Sequence, residues 1–275
     1  MKTSTSKYEG IKFQHGQSER VDDALTTEEA LQININSAPF TVIMQTPGDE
    51  PEMVRGLLYS EDIYKKEEAF KLEIEQRNEL GYITKVNVVI DESLLGTGYA
   101  NNRSMLSVSS CGICGKRELG DLAVKGSQLA VHKRFNPLKL DEMYEVMEKA
   151  QTTFQTTGGS HGAAAFTMSG EFLTLKEDIG RHNAVDKVIG TLLNTHGLKQ
   201  ANCLLVSGRI SYEIVTKAFV AKIPVLVAVS APSTLAVDYA KELGITLFAF
   251  TRKGKTTCYS HPERIIKING NEEVA

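Results

Sequence analysis

The sequence predicts an α/β protein, α+β overall. A smaller N-terminal α+β unit over residues 1–134 precedes a larger unit over residues 135–275 built on a mainly parallel sheet. Three observations carry this expectation. Between residues 203 and 250, strand-like and helix-like stretches alternate at the spacing of right-handed βαβ crossovers: strand 203–207, helix 211–222, strand 224–230, helix 233–243 and strand 245–250. Charge is unevenly spread, with 16 charged side chains in residues 51–100 and only 7 in residues 201–250, so the second window reads as buried sheet covered by helices. The length of 275 residues suits one large or two small domains at roughly 150 residues each.

The polar start, residues 1–9, carries no apolar pattern and is expected to be mobile. Leu31, Ile33 and Ile35 alternate with Gln32, Asn34 and Asn36, the period of a half-buried strand. A turn over Asn36–Pro39 leads into a second strand at Thr41–Gln45, which Pro47, Gly48 and Asp49 stop. Met53, Leu57 and Leu58 mark a short helix, and Tyr82–Ile90 is a third strand, rich in Val and Ile. A loop through Gly96, Gly98, Asn101 and Asn102 follows.

A unit boundary is expected near Arg134–Pro137. Asp141 is a candidate N-cap for a helix whose apolar face is Met143, Val146, Met147, Ala150 and Phe154, broken by Thr156–Gly162. Strands Ala163–Met168 and Glu171–Leu175 flank a turn at Ser169 and Gly170, and a helix spans about 181–195 before the alternating region begins.

Composition excludes several classes. With 31 Lys+Arg against 34 Asp+Glu the formal charge is −3, which argues against a nucleic-acid coat or binding to an acidic membrane. Met1–Gly10 lacks the apolar core of a secretory signal, and the most hydrophobic stretch, Ile223–Ala231, is far short of the roughly 20 residues that span a bilayer. The default expectation is a cytoplasmic protein. Four cysteines, at 111, 114, 203 and 258, are too few for a disulfide scaffold of this size.

Chemistry is concentrated in a few stretches. Cys111 and Cys114 form a Cys-x-x-Cys pair in a Ser/Gly-rich setting, with Lys116 and Arg117 downstream to favour thiolate. A structural zinc site wants four ligands, and neither a second such pair nor a spaced His pair follows. A thioredoxin-like motif belongs early in a βαβ unit, whereas this pair lies mid-chain. The third reading is a mobile, exposed nucleophile that carries a group. Cys203 sits in an apolar strand and reads as a small buried hydrophobe. Cys258 is undecided.

The strand-to-helix turns Ser207-Gly208-Arg209 and Ser230–Ser233 fall where open parallel sheets bind ligands, although Ser and Gly are also expected there as helix caps. Neither a Walker sequence nor Gly-x-Gly-x-x-Gly is present, which disfavours a standard nucleotide enzyme. Thr157–Gly162 is a glycine-rich loop containing Gly159 and His161, and Glu177–Asn183 crowds two acids, Arg181 and His182 at a helix start. Asp178 can be a cap and His182 a satisfied surface residue; both clusters standing in an Ala/Val-rich region favour a site. The run Phe250, Thr251, Arg252, Lys253, Gly254, Lys255 places three cations in four positions beside a glycine, which suits phosphates or a solvated loop.

Together Ser109–Gly115, Thr157–Gly162, Glu177–Lys187, Val206–Arg209 and Tyr259–Arg264 resemble the FdhD family of formate dehydrogenase accessory sulfurtransferases, in the family's order over about residues 30–266. The resemblance implies a cytoplasmic sulfur carrier rather than a multiple-turnover metabolic enzyme. A cysteine desulfurase would load Cys111 with sulfane sulfur. The acceptor would be the bis-molybdopterin guanine dinucleotide cofactor, with Mo or W, of formate dehydrogenase. It implies a supporting role for Cys114, a guanine-dinucleotide segment at Phe250–Lys255, and GDP or GTP as a partial mimic of that cofactor. The phosphates would meet a sheet edge carrying Gly159, His161, Arg181, His182, Ser207, Gly208, Arg209 and Ser230. The resemblance also implies a homodimer, no permanently bound metal, and a three-layer, cytidine-deaminase-like larger domain. Deamination itself is not expected, because Ser110, not Pro, precedes Cys111. Two alternatives stay open: a zinc or redox protein using the same cysteines, and a cofactor-insertion chaperone without sulfur transfer.

Overall fold

The structure is a computed structural model that describes residues 4–102, 127–130 and 133–267. It opens on a two-stranded antiparallel ribbon, β1 (Thr5–Gln14) and β2 (Gln17–Thr26). This corrects the expectation of a mobile start from residue 5 onward. His15 and Gly16 both take positive φ, 51° and 78°, as a two-residue hairpin turn requires. Sequence patterning misses the ribbon because it is solvated on both sides, so its residues carry no apolar alternation.

The second sheet has four strands in the order β4-β3-β6-β5, comprising β3 (Glu29–Ile35), β4 (Ala38–Gln45), β5 (Lys71–Arg77) and β6 (Ile83–Val89). Asn36 and Ser37, at φ 50° and 67°, turn β3 into β4, while β3 runs parallel to β6. The helix expected after Pro47 is α1 (Glu50–Ser60). Pro51 and two acids, Glu50 and Glu52, suit its first turn. Leu31, Ile33 and Val88 of the sheet pack with Met53, Val54 and Leu58 of α1, all essentially without solvent exposure. The expected loop through Gly96–Asn102 contains a short helix, α2 (Thr97–Asn102). Its glycines serve close approach: a Cβ on Gly96 would lie 2.1 Å from the Asp62 carbonyl oxygen, and one on Gly98 1.9 Å from that of Glu61.

The larger sheet is built from β7 (His161–Phe166), β8 (Phe172–Asp178), β9 (Cys203–Val206), β10 (Val225–Ala228), β11 (Thr246–Arg252) and β12 (Lys255–Ser260), in the order β12-β11-β10-β9-β7-β8. Parallel pairing is confined to β9-β10-β11. That is narrower than the mainly parallel sheet expected. Short hairpins at Ser169-Gly170 and Lys253-Gly254 oblige β7–β8 and β11–β12 to pair antiparallel, and β7 also lies antiparallel to β9. The α/β alternation itself is as expected.

Helices cover both faces. α5 (Arg181–Asn194), α6 (Tyr212–Val220) and α7 (Thr234–Leu243) cover the face that presents Ala163, Leu204 and Leu226. Phe135 and α3 (Leu140–Ala150) cover the alternate residues, including Ala164, Leu205 and Val227. Period-2 alternation on strands buried on both sides explains why this region reads as continuously apolar. Lys139, not Asp141, stands at the N-cap of α3; Asp141 lies in its first turn. Phe154 belongs to a separate short helix, α4 (Thr152–Thr157), which Gly158 ends at φ 66°. Ser233 caps α7 by accepting a hydrogen bond from the Ala236 N–H.

Candidate functional site at the carboxyl edge of the larger sheet

The turns after β9, β10 and β11 lie side by side at the carboxyl edge of the parallel strands, the position where open α/β sheets expose backbone donors to ligands. Because β7 is antiparallel to β9, its first residue arrives at the same edge. The Gly162 N–H donates to Ser207 Oγ at 2.9 Å, and the Ser207 N–H donates back to the Gly162 carbonyl at 2.9 Å. That reciprocal pair fixes His161 beside the end of β9. Gly208 leaves the space they share: a Cβ there would stand 3.2 Å from His161 Nδ1 and 3.5 Å from Arg181 Cβ.

The charge state of His161 follows from these neighbours. Burial lowers its pKa first, and Arg181 and Arg209 lower it further against the opposing pull of Asp178. The ring is therefore neutral at pH 7, a donor and acceptor flanked by two guanidiniums. Arg181 Nε is buried without a hydrogen-bond partner among the described residues. A buried guanidinium nitrogen with no acceptor is costly, and an anionic oxygen at this edge would satisfy it. Ser230 follows β10, and its carbonyl accepts the Phe250 N–H at 3.2 Å, which joins this turn to the next strand.

The basic run forms the β11–β12 hairpin. Lys253 and Gly254 take positive φ, 50° and 74°, and Phe250 does so at 56° where the strand pairing shifts register. Asp141 accepts the Gly254 N–H at 3.0 Å, which holds the turn against α3. Arg252, Lys253 and Lys255 are exposed and, with Phe250, Thr256 and Thr257, line a pocket of about 370 Å³. Thr251 is buried, its hydroxyl 2.7 Å from that of Thr256.

The model of the FdhD/NarQ family matches residues 26–266. The chain belongs to this family. It is 37% identical over 259 residues to the sulfur carrier protein FdhD of Sulfolobus acidocaldarius, covering 92% of this chain and 96% of that one. It is 36% identical to the sulfur carrier protein FdhD of Streptomyces avermitilis, covering 95% of each. A crystal structure of a candidate formate dehydrogenase accessory protein from Desulfotalea psychrophila superposes with a TM-score of 0.73 at 21% identity, over 96% of this chain and 100% of that one, and so shares the fold.

Within this FdhD/NarQ chain the structure gathers some of the expected site residues and separates others. His161, Arg181, Ser207, Gly208 and Arg209 cluster at the ends of β7 and β9, with Ser230 on the adjoining turn. Gly159 lies farther back, where a Cβ would be 3.1 Å from Thr26 Oγ1 at the end of β2. His182 is buried between α5 and the start of α6, its Nε2 3.2 Å from Ser211 Oγ and 3.8 Å from Glu213. Cys111 and Cys114 lie outside the described residues. Cys203 has no solvent exposure and burial pushes its thiol far up, as a core residue. Cys258 is half-buried, donates to the Ser260 carbonyl at 3.2 Å, and is also raised by burial.

The acidic members of the 177–187 motif turn out to be architectural, a role that sequence reasoning missed beyond suggesting a cap. The Glu177 carboxylate accepts the Thr153 and Phe154 N–H groups and the Ser160 hydroxyl, and so caps α4. Asp178 accepts the Thr46 and Gly180 N–H groups and pairs with Lys187 at 2.7 Å. Lys187 also donates to the Thr46 carbonyl, and Asn183 to that of Met44. These bonds tie the end of β4 to α5 and so hold Arg181 in place at the edge. Among the described residues no group of three or more His, Cys, Asp or Glu side chains is placed to hold a metal ion, and no helix is long and apolar enough to cross a membrane.

Proposed function

We propose that this FdhD/NarQ protein is a sulfur carrier that accepts sulfane sulfur on Cys111 and passes it to the bis-molybdopterin guanine dinucleotide cofactor destined for formate dehydrogenase. The observation that supports this reading is the carboxyl edge itself, where His161, Arg181 and Arg209 lie together at the ends of β7 and β9, and the cations of the β11–β12 hairpin follow along the same edge of the sheet. The curated relatives, named as sulfur carriers over nearly the full length, support it.

In loading, the Cys111 thiolate attacks the outer sulfur of a desulfurase persulfide. A new S–S bond forms at Cys111, the old one breaks, and the desulfurase cysteine leaves as thiolate, so electrons balance without an added reductant. The edge residues bind the acceptor's phosphates: Arg181 and Arg209 as charged donors, His161 as a neutral hydrogen-bonding group, and Arg252, Lys253 and Lys255 at the outer end. Exposed Phe250 offers a ring face to a purine.

The test is complementation. In cells lacking their own copy, the Cys111→Ala chain is expected to accumulate but leave formate dehydrogenase inactive. An active dehydrogenase would replace this reading with that of a chaperone that binds the cofactor without transferring sulfur.

A further inference from the structure

A second pocket, of about 420 Å³, opens at the opposite, amino-terminal edge of the larger sheet. Ala201 and Asn202 lead into β9 there, and Ala221 and Lys222 lead into β10. Its floor is apolar, made by Leu192, Leu193, Leu198, Ala201 and Ala221. The far wall is Tyr59 at the end of α1, together with the segment that carries Lys65 and Glu67. The size lies within the range of small-molecule sites, and an apolar floor with a few polar groups is their usual lining.

The wall is built rather than loose. Arg55, 3% exposed, donates to the Lys66 and Glu67 carbonyls, with its guanidinium 5.1 Å from the Tyr64 ring centre and 5.5 Å from that of Phe70. This one side chain straps the 65–67 segment in place. Burial, with the Glu67 carboxylate adding to it against Arg55, raises the Tyr59 phenol, so it stays a neutral donor beside the floor.

The rim carries Lys65, Lys199 and Lys222, with His196 beside them; Lys65 is paired with Asp62 at 2.8 Å, so Lys199 and Lys222 are the cations that face a ligand. These groups are not consumed in capping the helices that end here. The last carbonyls of α5 accept the Thr195, His196 and Gly197 N–H groups, and those of α6 accept from Ala221, Lys222 and Ile223. Glu67 reaches Lys199 at 2.7 Å, both side chains largely exposed at 69% and 83%. An exposed pair of this kind is held weakly. The Glu67 carboxylate therefore occupies a position that another anion can take on Lys199, above a floor with no polar demand.

We infer that this pocket binds a small organic anion with an apolar body, its acidic head displacing Glu67 from Lys199 and its body resting on Leu192, Leu198 and Ala221. The site is independent of the carboxyl edge and of sulfur transfer. The probe is 8-anilinonaphthalene-1-sulfonate, titrated by fluorescence against the folded full chain. One saturable site is expected, displaced by 3-phenylpropanoate but not by 3-phenylpropanol, which lacks the charge, or by sulfate, which lacks the body. Glu67→Gln should tighten binding by about twofold to fivefold by freeing Lys199, and Lys199→Glu with Lys222→Glu should weaken it by about tenfold or more. Arg252→Gln with Lys255→Gln, at the other edge, should leave it unchanged. Equal affinity in the Glu67→Gln and double-lysine chains, displacement by 3-phenylpropanol, or loss of binding in the Arg252/Lys255 chain would each overturn the assignment.

Discussion

Gly56 of α1 and Gly190 of α5 meet backbone to backbone. A Cβ on Gly56 would fall 1.8 Å from the Asp186 carbonyl oxygen, and one on Gly190 would fall 1.7 Å from that of Glu52. The two helices, one from each half of the chain, cross at a point where only glycine fits. Around the crossing, Lys217 of α6 pairs with buried Asp186 at 2.8 Å and reaches Glu61 at 3.4 Å, while the Ser60 hydroxyl donates to Asp186.

Gly56→Ala or Gly190→Ala should therefore force the helices apart. Overpacking of this kind costs about 3 kcal/mol. The melting temperature of either variant should drop well below that of the parent chain in calorimetry; an unchanged melt would mean the crossing is looser than described.

Lys187→Met leaves Asp178 as an uncompensated charge with no solvent exposure. Breaking such a pair costs about 3–5 kcal/mol. Urea unfolding should show this loss, and anion binding at the proposed carboxyl-edge site should weaken with it, because Asp178 and Lys187 anchor the start of α5. A loss confined to surface-pair values would contradict the anchoring role.

His161 makes a pH prediction. Its folded pKa is below the unfolded value of 6.5, through burial and then Arg181. Between those two values the unfolded chain binds the extra proton, so this residue's contribution to stability is present above pH 6.5 and is lost as pH falls through the folded pKa. Arg181→Gln should move the His161 NMR titration upward. A downward move, or none, would show that the two side chains do not interact.

GDP, as a partial mimic of the proposed cofactor, should bind at the hairpin; Arg252→Gln with Lys255→Gln should weaken it by about tenfold or more, and raising salt should weaken the parent chain in the same direction. Titration calorimetry checks both. Affinity unchanged in the double variant would remove the hairpin from the site.

The alternating core of residues 203–250 was legible because buried parallel strands need apolar runs and their turns need Ser and Gly. The antiparallel flanks were less so, since pairing direction depends on hairpin lengths that composition hardly marks. The β1–β2 ribbon escaped because polar strands lack a buried face to pattern, and β5 because its apolar alternation is only two residues long, Leu72 and Ile74. At the site, Ser207-Gly208-Arg209 and the basic run could be picked out by residue type and position. Which of Glu177–Lys187 face a ligand could not, because the partners of Asp178, Asn183 and Lys187 are Thr46 and Met44, more than 130 residues away in sequence.

The function proposed for this chain depends on Cys111 carrying the sulfur. Incubating the chain with a cysteine desulfurase and cysteine, then weighing it intact without reductant, tests this most directly. The parent chain should gain one sulfur that dithiothreitol removes, and Cys111→Ala should gain none. No gain on the parent chain, or an equal gain on Cys111→Ala, would contradict this role.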